Sequence, residues 1–526
     1  MVIDRADVLV IGSGAAGGAL AKRLADLGAQ VVCFEQGDWM GPSSFPIDPD
    51  EEAQMRRRSQ SFSPNIRRLP QDYPVSTAGA DSPEVEMFNA VGGGTLHWNC
   101  GLARLHPSDF RVRTLDGEAD DWPIRYEDLA PYYELNDREM GACGLAGDPA
   151  NVDHTPPLAP LPLWPSGRTL ARGFNRLGWH WWPSGLAILS AKYEGRAACD
   201  LDGRGWYGCG LDARSSSANT YWPKALRRGA RLLTRTRVRE ITLDQRGRAR
   251  GVLCYDRDGR LREFAGRVVV VSANGIGTAR LLLNSKSKHF PHGLGNQEGI
   301  VGKYCMFHVW AGASGIFQPL LEGHRPTYDP LFSQQFYESD ATRDFTRGYT
   351  LLVHGVGGPL GRAHDVPWGA GHHREMRRRF PHTITVLAVG EDLPDEVNRV
   401  DLDSNKPDSS GIPGARITYS MSENSRRMMR HAQAMARRVL EAAGAVEVRT
   451  FGPWTGTSHF MGTARMGHDP RRSVVDAWHR IHGMDNVFIV DGSSFPTCGA
   501  VGPTSSIGAL ALRCAEGIWR RRRDWN

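Results

Sequence analysis

The sequence lacks the features that define membrane, fibrous and disulfide-stabilised proteins. No apolar run approaches 18 residues, so no transmembrane helix is expected. The nine cysteines are odd in number and include no C-x-x-C pair, which favours reduced thiols over a disulfide framework. There is no internal repeat or low-complexity tract, and 40% apolar with 23% charged residues excludes disorder, collagen and coiled coil. No signal-peptide pattern precedes the first strand, so we expect a cytoplasmic protein.

Lysine is also scarce, and the charge is nearly balanced. The 64 basic residues exceed the 58 acidic ones by only six. Arginine runs stand at Arg56–Arg58, Arg377–Arg379 and Arg520–Arg523 without interleaved aromatic residues. Such runs are typical of solvated surfaces, so nucleic-acid binding is not expected. The 526-residue length instead suits an enzyme of two domains.

The first 35 residues predict a dinucleotide-binding βαβ unit. A buried strand at 8–11 leads into a glycine-rich turn, a helix to about Leu27, and a second strand at 30–34 that ends at an acidic residue. The first glycine permits the tight turn, the second lets the backbone approach a pyrophosphate, and the third lets the helix pack closely. The acidic residue can accept hydrogen bonds from ribose hydroxyls. The cofactor-binding residues predicted here are Gly12, Ser13, Gly14, Ala16, Gly17 and Glu35.

Further elements are predicted along the rest of the chain. Trp222–Leu233 is predicted to be helical, and a hairpin covers 237–242 and 251–255. Strands are predicted at 267–271, 383–389, 397–402, 415–419 and 486–490. One long helix is predicted to open at a capping box of Ser420 and Glu423 and to run to about Ala443, and another to run from about Ser505 to Arg520. Strands next to a long helix in the middle third indicate a separate antiparallel sheet.

Four motifs together resemble the glucose–methanol–choline (GMC) family of FAD oxidoreductases. They are Gly92–Cys100, Val271–Leu282, His459–Gly467 and the stretch from Val487 to Thr504. The similarity covers roughly 5–40, 85–140, 195–310 and 455–520. It is weak or absent across 41–84 and 311–380.

The resemblance implies a mixed α/β and α+β fold. A Rossmann-like FAD-binding domain is expected from 1–40, 85–150, 195–305 and 455–526. A discontinuous substrate domain, built on an antiparallel sheet with helices, is expected from 41–84, 151–194 and 306–454. An NAD enzyme is disfavoured because the flavin motifs near the C-terminus accompany the first fingerprint.

The resemblance also assigns roles to individual residues. His459, in the H-x-x-G-T motif, is expected to be the base that removes a hydroxyl proton while the carbinol hydride passes to flavin N5. The N-terminus of the last helix is expected to face the flavin N1–O2 edge. The remaining cofactor-binding residues implied are Gly93, Gly94, Thr95, His97, Trp98, Asn99, Val238, Ala273, Asp491, Gly492, Gly502, Thr504 and Ser505.

The pair His97-Trp98 resembles the branch with pyranose oxidases and gluconate, sorbose and glucose dehydrogenases. This implies oxidation of a sugar, a glycoside or a related alcohol. A narrower hypothesis is oxidation of the 6′-hydroxyl of an aminoglycoside in antibiotic biosynthesis. His97 has three interpretations: a covalent bond to the flavin, packing against its ring, or a structural role. Non-covalent FAD is favoured.

The sequence differs from the family pattern at two places, Gly502 and the cysteines near 199–209. Relatives usually carry His or Asn at the position of Gly502, so a histidine or asparagine between about 305 and 400, or an ordered water, is expected to replace it. The departure also keeps open a non-redox lyase that uses His459 as acid and base. Only Cys199 and Cys209 remain where some relatives have a cysteine cluster, so no iron–sulfur centre and no other metal is predicted. Oxygen, a quinone and a carrier protein remain open as electron acceptors.

Overall fold

The computed structural model describes residues 4–45, 61–201, 209–325, 328–355 and 358–525. The run Arg56–Arg58 lies outside these ranges. Within them, no helix combines the length and apolar character needed to cross a membrane. The strands in these ranges are β1 Asp4–Ile11, β2 Val31–Phe34, β3 Val75–Ala78, β4 Glu84–Val85, β5 Trp182–Pro183, β6 Arg231–Leu233, β7 Arg237–Leu243, β8 Ala249–Tyr255, β9 Leu261–Val271, β10 Met306–Ile316, β11 Leu331–Phe336, β12 Tyr349–His354, β13 Thr383–Gly390, β14 Arg399–Pro407, β15 Pro413–Thr418, β16 Glu447–Met461 and β17 Val487–Ile489.

The helices surround two large sheets and one small sheet. The α-helices in the same ranges are α1 Ala15–Asp26, α2 Pro64–Arg67, α3 Val112–Asp116, α4 Tyr126–Met140, α5 Trp164–Leu177, α6 Tyr221–Arg227, α7 Asn274–Asn284, α8 Pro359–Asp365, α9 His372–Arg379, α10 Glu423–Ala443 and α11 Thr504–Arg520.

The first sheet has the strand order β6-β2-β1-β9-β8-β7, with β17 also paired to β9. Strand β1 runs parallel to β2 and to β9, as a Rossmann-like unit requires. Gly12 has a φ of +99°, and a side chain there would meet the Ser272 carbonyl oxygen at 2.3 Å. A side chain at Gly17 would lie 1.9 Å from the Gly12 carbonyl oxygen. Both glycines are therefore required by backbone packing, as the turn predicts.

The second sheet has the order β4-β16-β10-β13-β12-β11-β5, and all its pairs except β4 with β16 are antiparallel. Helix α10 packs across β10, β13 and β16, and α5 packs beside α10. A small third sheet has the order β14-β15-β3. Two apolar cores result, one mostly within the first sheet and its helices and one within the second. The predicted fold class is confirmed, while the predicted domain boundaries stay a prediction.

One predicted element is wrong in its second half. The helix predicted over Trp222–Leu233 ends at Arg227, and residues 231–233 form β6 instead. Gly229 has a φ of +90°, which breaks the helix, and β6 then pairs in parallel with β2. Pairing with a buried strand therefore prevails over local helical periodicity.

Candidate functional site

A continuous cavity of about 1350 Å³ runs from the glycine-rich turn after β1 to the second sheet. Ordinary ligand sites enclose roughly 300–1,000 Å³. The cavity is therefore large enough for a dinucleotide cofactor together with a substrate. Its walls come from both large sheets, so the site lies between the two apolar cores.

Most of the residues predicted from the sequence line this cavity. Two do not: Gly17 packs against the turn, and Ser505 is fully buried in the first turn of α11. The predicted residues that line the cavity are Gly12, Ser13, Gly14, Ala16, Glu35, Gly93, Gly94, Thr95, His97, Trp98, Asn99, Val238, Ala273, His459, Asp491, Gly492, Gly502 and Thr504.

The lining fits FAD by two independent observations. A side chain added at Gly14 or Gly94 would meet no atom of the described residues within 4 Å, so protein packing does not require glycine there. A cofactor lying against the backbone would explain both glycines. In addition, both ring nitrogens of His97 and the Ser272 hydroxyl are buried and lack a hydrogen-bond partner within the described ranges. A polar cofactor is what such groups would bond to.

Glu35, predicted from the sequence to bond a ribose, directly follows β2 and lines the cavity. Its Oε2 accepts hydrogen bonds from the Ser13 amide at 3.1 Å and the Ser13 hydroxyl at 2.7 Å, and its Oε1 accepts one from the Gly37 amide at 2.8 Å. Burial raises the pKa of Glu35, and these bonds oppose the increase. The carboxylate is thus fixed at the end of β2, beside the glycine-rich turn.

Asp491 and the start of α11 lie in the C-terminal part of the lining. Asp491 accepts hydrogen bonds from the Thr278 hydroxyl at 2.6 Å and the Ser493 amide at 2.8 Å. Helix α11 begins at Thr504, one residue before the predicted start, and Gly502 and Thr504 both line the cavity. The unpaired N–H groups and positive end of this helix are suited to a developing negative charge.

His97 lies in an aromatic cage. Its ring centroid is 4.1 Å from that of Phe88, 4.9 Å from that of Phe62 and 5.9 Å from that of Phe45. Burial, with a smaller effect of the Arg67 charge, lowers the pKa of His97 to about 3. The imidazole is therefore neutral at working pH. Neutral nitrogens that have no partner among the described residues are compatible with either packing against a flavin or a covalent link to it.

His459 faces the cavity from a bulge in β16. Met306 pairs with Met461 and His308 with Gly456, so one residue of β10 opposes four residues of β16. Such bulges redirect side chains and are frequent beside active sites. The half-buried His459 ring lines the cavity, and its Nδ1 lies 2.7 Å from Nδ1 of His308. Burial lowers the pKa of His459 well below its ordinary value, and the neighbouring His308 ring adds to the decrease.

His308 lies in the range predicted to replace the missing group at Gly502. It is fully buried, and its Nε2 lies 2.9 Å from the Gly499 carbonyl oxygen. Both nitrogens are therefore engaged, one by His459 and one by the backbone. His308 lines neither the large cavity nor the small chamber, so it lies behind the predicted base, and the replacement for the missing group at Gly502 stays a prediction.

A small chamber of about 100 Å³ adjoins the large cavity at His459. Asp329 lines both spaces and is almost fully buried. Its two carboxylate oxygens lie 3.0 Å from Asn99 Nδ2 and 2.8 Å from His354 Nδ1. Trp310, two residues after His308 on β10, also lines both spaces. Of these residues, only Asn99 was predicted from the sequence. The one pattern that could have indicated the others is the spacing of His308 and Trp310, which places both side chains on the same face of a strand.

Comparison with known proteins adds a family and a fold. The GMC oxidoreductase family models match residues 168–309 and 394–511, and an FAD binding domain model matches 7–45. The chain is 41% identical to 2-methyl-1,2-propanediol dehydrogenase of Mycolicibacterium austroafricanum, over 99% of this chain and 96% of that protein. It is 31% identical to 6'''-hydroxyparomomycin C oxidase of Streptomyces lividus, over 97% and 91%. The structure of pyridoxine 4-oxidase from Mesorbium loti shares the fold, with a TM-score of 0.67, 20% identity and coverage of 98% and 99%.

Proposed function

The chain belongs to the GMC family of FAD-dependent oxidoreductases, and we propose that it oxidises one hydroxyl group of a compact alcohol to a carbonyl with His459 as the base. The observation that carries the proposal is the position of His459. Its ring lines both the large cavity and the small chamber, between the predicted cofactor residues and the second sheet.

His459, bound FAD and the start of α11 each have a separate role in the proposed reaction. Bound FAD supplies the acceptor for the hydride. Nε2 of His459, which has no protein partner within the described ranges, takes the hydroxyl proton. The low pKa of His459 keeps this nitrogen unprotonated before the reaction. The positive N-terminus of α11 would stabilise the negative charge that develops on the bound flavin.

The size of the chamber supports a compact substrate. Its volume of about 100 Å³ is well below the roughly 300–1,000 Å³ of ordinary ligand sites. Leu186, Phe332, Leu352 and Val501 contribute apolar surface to it. A short branched carbon skeleton fits this lining, with its reacting hydroxyl toward His459. The similarity to a propanediol dehydrogenase supports the same class of substrate.

Asp329 supports a substrate with a second polar group. A buried carboxylate accepts hydrogen bonds strongly, and each oxygen of Asp329 keeps a lone pair beyond its contact with Asn99 or His354. It would accept a bond from the second hydroxyl of a diol. The same carboxylate would also attract an ammonium group, which favours an aminoglycoside as the second candidate. In that case the bulk of the substrate would occupy the large cavity.

Anaerobic bleaching of the flavin tests the function. We expect 2-methyl-1,2-propanediol to bleach it, and 2-methyl-1-propanol, which lacks the second hydroxyl, to bleach it more slowly. Glucose, gluconate and an aminoglycoside complete the panel. Bleaching by the aminoglycoside alone would move the assignment to the narrower hypothesis. No bleaching by any alcohol would favour the lyase, and reoxidation by oxygen, a quinone or a carrier protein would identify the electron acceptor.

A further inference from the structure

We propose that His308 is a positioning residue that fixes the tautomer of His459, so that the nitrogen facing the substrate carries the lone pair. The proposal rests on the role of His459 in the proposed function. It states which ring nitrogen of each histidine carries a proton, a question that naming His459 as the base does not answer.

The proton assignment starts at the backbone. The Gly499 carbonyl oxygen can only accept, so Nε2 of His308, 2.9 Å away, must be the donor. Burial lowers the pKa of His308 to about 4, so the ring is neutral at working pH and carries one proton. Since that proton is on Nε2, Nδ1 of His308 is a lone pair.

The proton position on His308 then determines the proton position on His459. Its Nδ1 lies 2.7 Å from that lone pair, so it must donate, and the proton of neutral His459 is on Nδ1. Nε2 of His459 is therefore free to accept a proton. Once it has done so, the Nδ1–H bond to His308 becomes charge-assisted and stabilises the imidazolium. No net charge enters the pair before the reaction.

The accepting carbonyl is itself held in place by buried contacts. The Ala500 amide donates to the Tyr337 hydroxyl at 3.3 Å, and that hydroxyl donates to Asp109 at 2.6 Å. Arg347 is fully buried and bonds both Asp109 and Glu391. This network fixes the segment that carries the Gly499 carbonyl. The tautomer is consequently set by a rigid group instead of by solvent.

NMR of protein labelled with ¹³C,¹⁵N-histidine tests the assignment without any turnover. We expect His459 as the Nδ1–H tautomer and His308 as the Nε2–H tautomer, each identified by loss of its signal in a variant. His479 is an internal reference, because its Nδ1 lies 3.1 Å from the Ile489 carbonyl oxygen and its pKa is lowered to about 3. Finding His459 as the Nε2–H tautomer would overturn the proposal.

Kinetics of His308→Leu and His308→Gln test the consequence. The leucine removes the acceptor, so the flavin reduction rate should fall roughly 10–100-fold, while the dissociation constant of the alcohol changes less than about twofold. The glutamine amide can accept from His459 and donate to Gly499, so it should recover most of the rate. His482→Gln is the control, since His482 bonds Ser473 and lines neither space.

The outcomes separate this proposal from the proposed function. A wild-type rate in both His308 variants would refute the positioning role even if alcohols bleach the flavin. If no alcohol bleaches the wild-type flavin, the proposed function fails, and the tautomer found by NMR still decides the proposal. Should His308→Leu not fold, His308→Gln still identifies the His308 signal, and the tautomers found by NMR decide the proposal.

Discussion

Gly502→Asn probes the position where the resemblance to the family implies a His or Asn side chain. A Cβ there would meet no atom of the described residues within 4 Å, and the backbone needs no positive φ. Gly502 lines both the large cavity and the small chamber, as His459 does. An asparagine therefore has room among the described residues, and we expect its amide to reach the substrate oxygen that loses its proton to His459.

The expected gain follows from the charge on that oxygen. A hydrogen bond to a charged group contributes about 1.5–3 kcal/mol, but only the part that strengthens in the transition state raises the rate. If about half of this free energy appears only in the transition state, the flavin reduction rate rises roughly 3–10-fold, because about 1.4 kcal/mol corresponds to a tenfold change in rate. Binding of the alcohol should change less, because the neutral hydroxyl gains a weaker bond.

Anaerobic stopped-flow reduction over a range of alcohol concentrations separates rate from binding. Gly502→Ala is the matched control, because it adds a Cβ without a donor and should leave the rate near that of the wild type. A fall in rate in both variants, with flavin content unchanged, would mean that the space is needed by cofactor or substrate. That result would refute the idea that Gly502 leaves a usable opening beside His459.

Four other predictions address the base, the cofactor and stability. His459→Ala should keep its FAD and lose roughly 10²–10⁴-fold in flavin reduction rate, and an unchanged rate would place the base elsewhere. Glu35→Ala should weaken FAD binding by about 1.5–3 kcal/mol per ribose bond lost, measured by titrating the apoprotein, and a protein that binds NAD instead would contradict the assignment. Acid precipitation should release the flavin; colour that stays in the pellet and disappears in His97→Ala would indicate a covalent link. Burial raises the pKa of Asp392 from 3.8 to about 7, against bonds from Tyr419 and Ser425. The folded state therefore keeps a proton that the unfolded state loses, and the stability of the fold should fall as pH rises from about 4 to about 7. Asp392→Asn should flatten this fall when Tm is measured across the same pH range, and an equal fall in both proteins would point to other groups.

The parts of the site that follow from local sequence were predictable. The glycine spacing, together with the strand before it and the helix, strand and acid after it, places the turn after β1 and the acid at the end of β2, because one βαβ unit contains them all. The start of α11 is likewise marked by its own residues, and it was predicted to within one residue.

The parts that depend on distant strands were not predictable. Strand β10 is buried along nearly its whole length and contains several small residues, so it shows no alternation to mark it as a strand. The His308–His459 pair depends on the register of β10 against β16, which are about 150 positions apart in the chain. Asp329 precedes β11 and carries no motif, so nothing local indicates its position beside the base.

The hydrogen-bonded series from His459 through His308 ends at a backbone carbonyl, and this has a consequence for turnover. A carbonyl cannot carry a proton onward, so the inner end of the series is closed to proton transport. A proton taken up at Nε2 of His459 can only depart by the side from which it arrived. The proton therefore leaves Nε2 of His459 into the cavity, on the same side of the ring from which the substrate hydroxyl delivers it.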